Sequence, residues 1–173
     1  MGPEKAKASL SFASFKDELV MVFVDLENSC GGSEYVVNYH REVRKAISML
    51  SDPKKTRVIF STGPRALELA PNLLWEWGSA RYIFGHGIDG ADNSLIHAMI
   101  SEPSLRRATR VILVSGDHIF ADLVEKLTRA GVHTTVVAQP DALSSKLRRA
   151  ANQVAYLPTF GASIKNRSNK AVV

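Results

Sequence analysis

Cysteine is almost missing from this sequence. Cys30 is the only one in 173 residues, so an internal disulfide is impossible, which fits a reducing compartment. The sequence also lacks the paired Cys and His spacings that are typical of zinc sites. We therefore predict a cytoplasmic protein with neither a disulfide framework nor a zinc centre.

Long apolar runs are missing as well. The longest one, around Leu19 to Val24, stops at Asp25 and is far shorter than the roughly 20 residues that span a membrane. The amino-terminal residues include no continuous apolar core and no small-residue cleavage site, so a secretory signal is not expected. The glycines of GHGIDG (85–90) form neither a dinucleotide fingerprint nor a P-loop. These absences argue against a membrane partner and against a nucleotide site at that loop.

What is present suffices for one globular domain. Hydrophobic side chains make up 45% of the sequence and charged ones 23%, which suits a chain of this length with a sizeable core. We predict a flexible amino-terminal arm over residues 1–17, one domain over 18–158 and a basic flexible tail over 159–173.

Strand-like and helix-like segments alternate through the central domain. Runs rich in Val, Ile and Phe predict five to six strands, the last one at an edge: LVMVFVD (19–25), TRVIFS (56–61), ARYIF (80–84), RVILVS (110–115), HTTVVA (133–138) and QVAYL (153–157). Helices are predicted at 34–50, after Pro64, at 93–100, along 120–127 and at 142–151, and a loop at ENSCGGS (27–33). This order predicts an α/β, three-layer sandwich with right-handed crossovers around a mostly parallel central sheet.

Three acidic residues follow predicted strands. Asp25 ends the first strand, Asp92 lies in the loop after the third, and Asp117 comes just after the fourth. Ligands of such sheets bind beyond the carboxyl ends of the strands, and carboxylates brought together there repel one another unless a cation neutralises them. Mg²⁺ or Mn²⁺ is the predicted cation, because hard divalent ions prefer carboxylate oxygens. Alternatively, Asp92 and Asp117 each serve only as helix caps.

The net charge of +5 is compatible with a polyanionic partner, because Lys and Arg that neutralise phosphates release counterions. Charge alone does not decide this, since many basic proteins bind no nucleic acid. We expect three basic clusters to border a groove, namely Arg106 with Arg107 and Arg110, Lys146 with Arg148 and Arg149, and Lys165 with Arg167 and Lys170.

The five histidines are expected to be surface or partly packed side chains. His40 falls on the polar side of the predicted helix 34–50, and His118 is nearest to the acidic residues.

Three motifs occur in a recognisable order: VFVDLEN (22–28), GADNSLI (90–96) and VSGDHIFADLVEKLTRAGVHTTVVA (114–138). Together they resemble the NYN family of PIN-like nucleases, particularly the branch similar to the meiosis-arrest oocyte proteins. The resemblance runs from about Val20 to Leu157. It implies a PIN-like, Rossmannoid fold and metal-dependent ribonuclease activity with Mg²⁺ or Mn²⁺.

The resemblance also assigns roles to individual residues. Asp25, Asp92 and Asp117 match the family's metal-binding, catalytic acids, and Asn28 matches the polar residue that supports them. Ser115 is expected to shape the turn that presents Asp117.

One position departs from the family pattern. Many members have S-G-D-x-D-F, whereas this sequence has SGDHIF and places Ile119 where a second acid would stand. Glu27, Asp89 or Asp122 would then replace that acid, or three acids suffice, or the metal is bound weakly.

Substrate contacts are expected from Ser115, His118, Arg148 and Arg149, and the expected substrate is single-stranded RNA. A homodimer or a larger nuclease complex is the expected assembly. Two alternatives remain open: an RNA-binding or scaffolding module with weak or lost cleavage, and a DNA nuclease or phosphohydrolase that uses the same acids. No sequence feature identifies a contact with a 2′-hydroxyl, so RNA and DNA are not separated.

Overall fold

The computed structural model describes residues 18–29, 39–63 and 80–158. Within these ranges six strands form one sheet: β1 (Val20–Asp25), β2 (Thr56–Thr62), β3 (Arg81–Phe84), β4 (Arg110–Val114), β5 (His133–Ala138) and β6 (Gln153–Tyr156). The helices are α1 (Leu26–Ser29), α2 (Tyr39–Leu50), α3 (Gly90–Ser101), α4 (Ala121–Arg129) and α5 (Ser145–Ala150). Short 3-10 helices cover Pro53–Lys55, Pro103–Arg107 and His118–Phe120.

The strands lie in the order β3-β2-β1-β4-β5-β6, and every neighbouring pair is parallel. The chain therefore builds one half of the sheet outward from β1 and then returns to build the other half from β4. In doubly wound sheets of this order, the crevice where the direction reverses is the usual ligand site. The prediction of a mostly parallel sheet of five to six strands is confirmed, with β6 at one edge.

The central strand β1 is buried on both faces. Val20, Val22 and Val24 pack on the side of α2, whereas Met21 and Phe23 pack on the side of α3, α4 and α5. Burying each such side chain contributes about 1.5–3 kcal/mol, so this strand holds both layers together. Replacing Phe23 with alanine would cost about 3–5 kcal/mol through the cavity that it leaves.

Several predicted boundaries are wrong by a few residues. Leu26–Ser29 forms a helical turn where a loop was predicted. Helix α3 begins at Gly90, three residues before the predicted start, because the left-handed backbone of Asp89 (φ 54°) turns the chain into the helix early. Helix α5 begins at Ser145 instead of Ala142, because the Ser144 side chain caps it by accepting a hydrogen bond from the Leu147 amide.

His40 is also placed differently from the prediction. It is 1% exposed in the first turn of α2, and burial lowers the pKa of its imidazole to about 4. The neutral ring therefore belongs to the packed side of the helix at physiological pH.

Other predictions fall outside the described residues: the arm 1–17, the helix start at 34–38, the helix after Pro64 and the tail 159–173. Among the helices that the structure describes, none is long and apolar enough to cross a membrane.

Candidate active site

The three acidic residues lie at the carboxyl end of the sheet. Asp25 is the last residue of β1, and Asp117 follows the adjacent strand β4 after a two-residue turn. Asp92 lies in the first turn of α3, which packs against β1 and β2. Asp25 and Asp117 thus stand on the two strands between which the sheet reverses its direction.

Asp25 is buried and fixed by two hydrogen bonds. Its Oδ2 accepts from the hydroxyl of Ser115 at 2.9 Å, and its Oδ1 accepts from the Asn28 backbone amide at 3.2 Å. The side-chain carbonyl of Asn28 in turn accepts from the Gly116 amide at 2.9 Å. Asn28 therefore connects the turn after β1 with the turn after β4 and holds the two strand ends in register.

Asp117 is presented by the same turn. Its amide donates to the Ser115 hydroxyl oxygen at 3.2 Å, and its Oδ1 accepts from the Ile119 amide at 3.1 Å. His118 Nδ1 lies 2.9 Å from the same oxygen. Asp117 is consequently the cap of the His118–Phe120 turn, as the alternative interpretation predicted, while its Oδ2 has no hydrogen-bond partner among the described residues.

The position of Ser115 explains how this turn is built. Ser115 is 1% exposed, and its hydroxyl bonds to both Asp25 and Asp117. The expected role in shaping the turn fits this geometry. Direct contact with a substrate does not, because the hydroxyl is buried and already engaged.

The electrostatics of Asp25 reflect its neighbours. Burial, followed by the charge of Asp92 and to a smaller extent that of Asp117, raises the pKa of Asp25, and the net value is about 7. The hydrogen bonds from Asn28 and Ser115 lower it, but not enough to compensate. Near neutral pH the Asp25 carboxyl therefore holds its proton about as readily as it loses it.

Asp92 has similar surroundings. Burial, then the charges of Asp117 and Asp89, raise its pKa, and the charge of Glu27 makes a smaller contribution. A hydrogen bond with Asp25 lowers it. Asp92 is not a helix cap, because Asp89 occupies that position. Capping of α3 therefore does not explain why the Asp92 carboxylate lies here.

Three acids were predicted as possible replacements for the acid that position 119 lacks. Two of them, Glu27 and Asp89, raise the pKa of Asp92. Asp122 does not belong to this group. Its exposed carboxylate lies 2.8 Å from Lys146 Nζ on the neighbouring α5, and this hydrogen bond lowers its pKa. Ile119 itself is 36% exposed.

Two supporting residues were missed by the sequence interpretation. Gly63, just after β2, donates its amide to Glu27 Oε1 at 3.2 Å, and a Cβ at this position would stand 2.6 Å from that oxygen. Ser61 donates its hydroxyl to the carbonyl of Ala91 at 2.6 Å and so ties β2 to the first turn of α3. The polar Ser-Thr-Gly end of an otherwise apolar strand was the available signal.

Comparison with known families agrees with this architecture. A profile of the NYN domain matches residues 19–158. The chain belongs to the NYN domain family. A solved structure of a protein of unknown function from Vibrio parahaemolyticus matches this NYN domain with a TM-score of 0.58 at 20% identity, covering 84% of this chain and 96% of that chain. That likeness shows the fold, a PIN-like Rossmannoid sandwich. No curated protein sequence matches the chain.

Family membership makes this a PIN-like domain of nuclease type. The similarity to the meiosis-arrest oocyte branch stays a prediction.

The donor set of the NYN domain suits a hard divalent cation. Asp25, Asp92 and Asp117 are carboxylates, the charge of Asp117 helps to raise the pKa of both Asp25 and Asp92, and none of the three pairs with a Lys or Arg among the described residues. In the described part of the chain, however, no group of three or more His, Cys, Asp or Glu side chains is arranged so that it could hold a metal ion. The chemistry of the residues therefore fits the ion, while the metal ligands stay a prediction.

The basic clusters divide between the two ends of the sheet. Arg148 and Arg149 are exposed on α5, whose preceding residues contact the turn at Gly116. Arg110 instead starts β4, and Arg106 and Arg107 precede it, so this cluster lies at the amino end. The length of β4 therefore separates this cluster from the acidic residues, and a groove that it borders lies at the amino end of the sheet.

Proposed function

We propose that this NYN domain is a metal-dependent endoribonuclease that hydrolyses phosphodiester bonds of single-stranded RNA, with Mg²⁺ or Mn²⁺ bound by Asp25, Asp92 and Asp117. The observation that supports it most is the buried Asp25 carboxyl, whose pKa is raised to about 7 by burial and by Asp92 and Asp117. A protein gains nothing in stability by burying a carboxyl among like charges. A cation at this place would remove the repulsion.

The chain's own residues would prepare the site for that ion. Ser115 and Asn28 orient Asp25 through hydrogen bonds to separate carboxylate oxygens. Asp117 uses Oδ1 for its cap and leaves Oδ2 for a ligand. When bound, the ion would lower the pKa of a coordinated water and neutralise charge on the scissile phosphate. Because Asp25 must lose its proton first, metal affinity should fall as the pH drops below about 7.

The residues around the acids would contact the substrate. His118 is 75% exposed beside Asp117, so its ring can reach a phosphate oxygen next to the scissile bond. Arg148 and Arg149 on α5 would bind phosphates of the RNA backbone farther from the scissile bond, without base selectivity. Asn28 keeps a positioning role, since its amide joins the two strand ends.

A second candidate function is RNA binding with weak or lost cleavage. It is favoured by Ile119, which stands where many family members have a further acid, and by the lack of a ready three-group metal site among the described residues. A DNA nuclease would use the same acids.

Incubation of the full chain with labelled single-stranded RNA and with DNA of the same sequence, in Mn²⁺, Mg²⁺ or EDTA, separates these functions. Metal-dependent cleavage of RNA but not DNA is the expected result. Binding without cleavage in either metal would favour the second candidate, and cleavage of DNA alone would show that the substrate is wrong.

A further inference from the structure

The amino end of the sheet is rich in arginine and lysine. β2, β3 and β4 begin with or next to Arg57, Arg81 and Arg110. The 3-10 helices that precede β2 and β4 add further cations, namely Lys54, Lys55, Arg106 and Arg107. In the strand order these elements are neighbours around β1, so their charges lie along one end of the molecule.

Acidic residues at this end neutralise only part of the charge. Glu102 pairs with Arg81 at 3.0 Å and Glu18 with Arg110 at 3.4 Å. Arg106 and Arg107 are exposed and form no ion pair with any residue that the structure describes. An excess of exposed guanidinium groups therefore remains, and self-repulsion among them is relieved by a bound anion.

The surface here is concave. A cavity of about 580 Å³ lies where the amino ends of β2 and β3 meet the end of α2, and Arg44, Arg57 and Arg81 are among its lining residues. A second cavity of about 850 Å³ lies between the ends of α3 and α4 and includes Arg106. Glu102 lines both cavities, and Pro103, Leu105 and Arg106 of the turn that follows it line the second one.

We propose that this amino end is a second RNA-binding surface, which holds the phosphodiester backbone of a long substrate remote from the acidic residues. The identity of the substrate rests on the proposed function. A guanidinium group can donate two parallel hydrogen bonds to phosphate oxygens, and none of the described residues that line the two cavities is aromatic. The surface therefore binds the backbone without stacking on bases and without sequence preference.

Distance makes the contribution depend on RNA length. β1 has six residues and spans about 20 Å at about 3.3 Å per residue. An RNA that occupies only the acidic end does not reach Arg106 and Arg107, whereas a longer one passes over both ends. The basic end should thus lower KM for long RNA and leave kcat and the turnover of short RNA unchanged.

The test measures binding of the full chain in EDTA, so that it does not depend on cleavage. Fluorescence anisotropy compares the wild type with Arg106→Glu/Arg107→Glu, using single-stranded RNA of about 6 and about 30 nucleotides, below and above the footprint of one small domain. The variant should bind the long RNA at least tenfold more weakly, with a salt slope smaller by about 1.4, and lose less affinity for the short RNA, which spans fewer of the basic residues. Arg106→Gln/Arg107→Gln, with circular dichroism as a folding control, should show a weaker form of the same loss.

Equal affinity of wild type and variant for the long RNA would overturn the proposal. So would an equal loss for both lengths, or wild-type binding of polyglutamate as tight as that of RNA, since the occupant would then be an acidic polypeptide. If the variant binds long RNA more weakly but the wild type does not cut RNA in Mn²⁺, the nuclease function is refuted and the RNA-binding surface is supported.

Discussion

The two ends of the sheet use the same structural device in opposite electrostatic settings. Asp52 caps the 3-10 helix Pro53–Lys55 at the amino end by accepting from the Lys54 amide, and Asp117 caps His118–Phe120 at the carboxyl end by accepting from the Ile119 amide. Asp52 is exposed among lysines, whereas Asp117 adds to the charge around buried Asp25. An aspartate cap therefore becomes a candidate ligand through its neighbours and not through its local geometry.

Replacing each of the two caps, Asp52 and Asp117, tests this comparison most strongly. Asp117→Asn should lower RNA cleavage by about 10³-fold or more, because metal catalysis supplies several kcal/mol of charge stabilisation. Asparagine can still accept from the Ile119 amide, so the turn should persist. Steady-state cleavage of labelled RNA in Mn²⁺ checks this.

Asp52→Asn is the matched control, since it keeps a cap at the opposite end and removes one negative charge. Its cleavage rate should equal that of the wild type. Metal-free thermal stability of the Asp117 variant should hold or rise, because one repulsive charge is gone. Unfolding of that variant, or full activity, would show that Asp117 is a structural cap only.

The buried carboxyl predicts a pH dependence of stability without metal. The pKa of Asp25 is about 7 in the fold and near its ordinary value in the unfolded chain, so the native state binds the extra proton between these two values. The free energy of unfolding should therefore fall as the pH rises from about 4 to about 7, by on the order of 2–4 kcal/mol. Urea denaturation in EDTA across this range measures the slope.

Asp25→Asn should flatten that slope, because asparagine does not titrate. Saturating Mn²⁺ should flatten or reverse it in the wild type, since the ion stabilises the deprotonated form. A wild-type profile that matches the asparagine variant at every pH would contradict the assigned pKa.

Gly116 and Gly131 show how well the backbone at each end of the sheet tolerates a side chain. A Cβ on Gly116 would lie 2.3 Å from the Ala142 carbonyl oxygen, whereas one on Gly131, at the amino end before β5, would meet no described residue within 4 Å. Gly116→Ala should cost about 1–3 kcal/mol and reduce activity by displacing Ser115. Gly131→Ala should cost about 1 kcal/mol from its positive φ. Chemical denaturation and cleavage assays of the two variants measure these effects. Equal losses of activity would show that the Gly116 turn does not position the acids.

The smallest expected effect is at α5. Arg148→Gln/Arg149→Gln should weaken RNA binding a few-fold, to the same extent for all sequences and for short and long RNA, with a shallower salt dependence. Anisotropy titrations at several salt concentrations measure it. Binding that is insensitive to both salt and these changes would place the substrate path elsewhere.

The strands and their parallel order could be predicted because β-branched runs alternate regularly with amphipathic segments. The acidic residues could be found for the same reason, since each follows a strand end. The start of α3 could not, because it depends on the left-handed conformation of Asp89. Neither could the burial of His40, since a polar side chain gives no sign of its packing.

The position of the basic cluster at 106–110 follows from the direction of β4. Arg110 begins this strand and Asp117 follows its end. Strand direction, which the sequence already contained, separates the two charges. The network of Ser115, Asn28 and Gly116 is long-range, with contacts across about 90 residues of chain, and only the fold reveals it.

The central claim is that Asp25, Asp92 and Asp117 bind one divalent ion. Anomalous diffraction from crystals of the full chain soaked in Mn²⁺ tests it most directly, with Asp117→Asn crystals treated in the same way. We expect a single strong peak within about 2.0–2.6 Å of carboxylate oxygens from all three residues, which is the range of hard-ion distances, and loss of that peak in the variant. A wild-type crystal without the peak, or with it at another group of residues, would contradict the account.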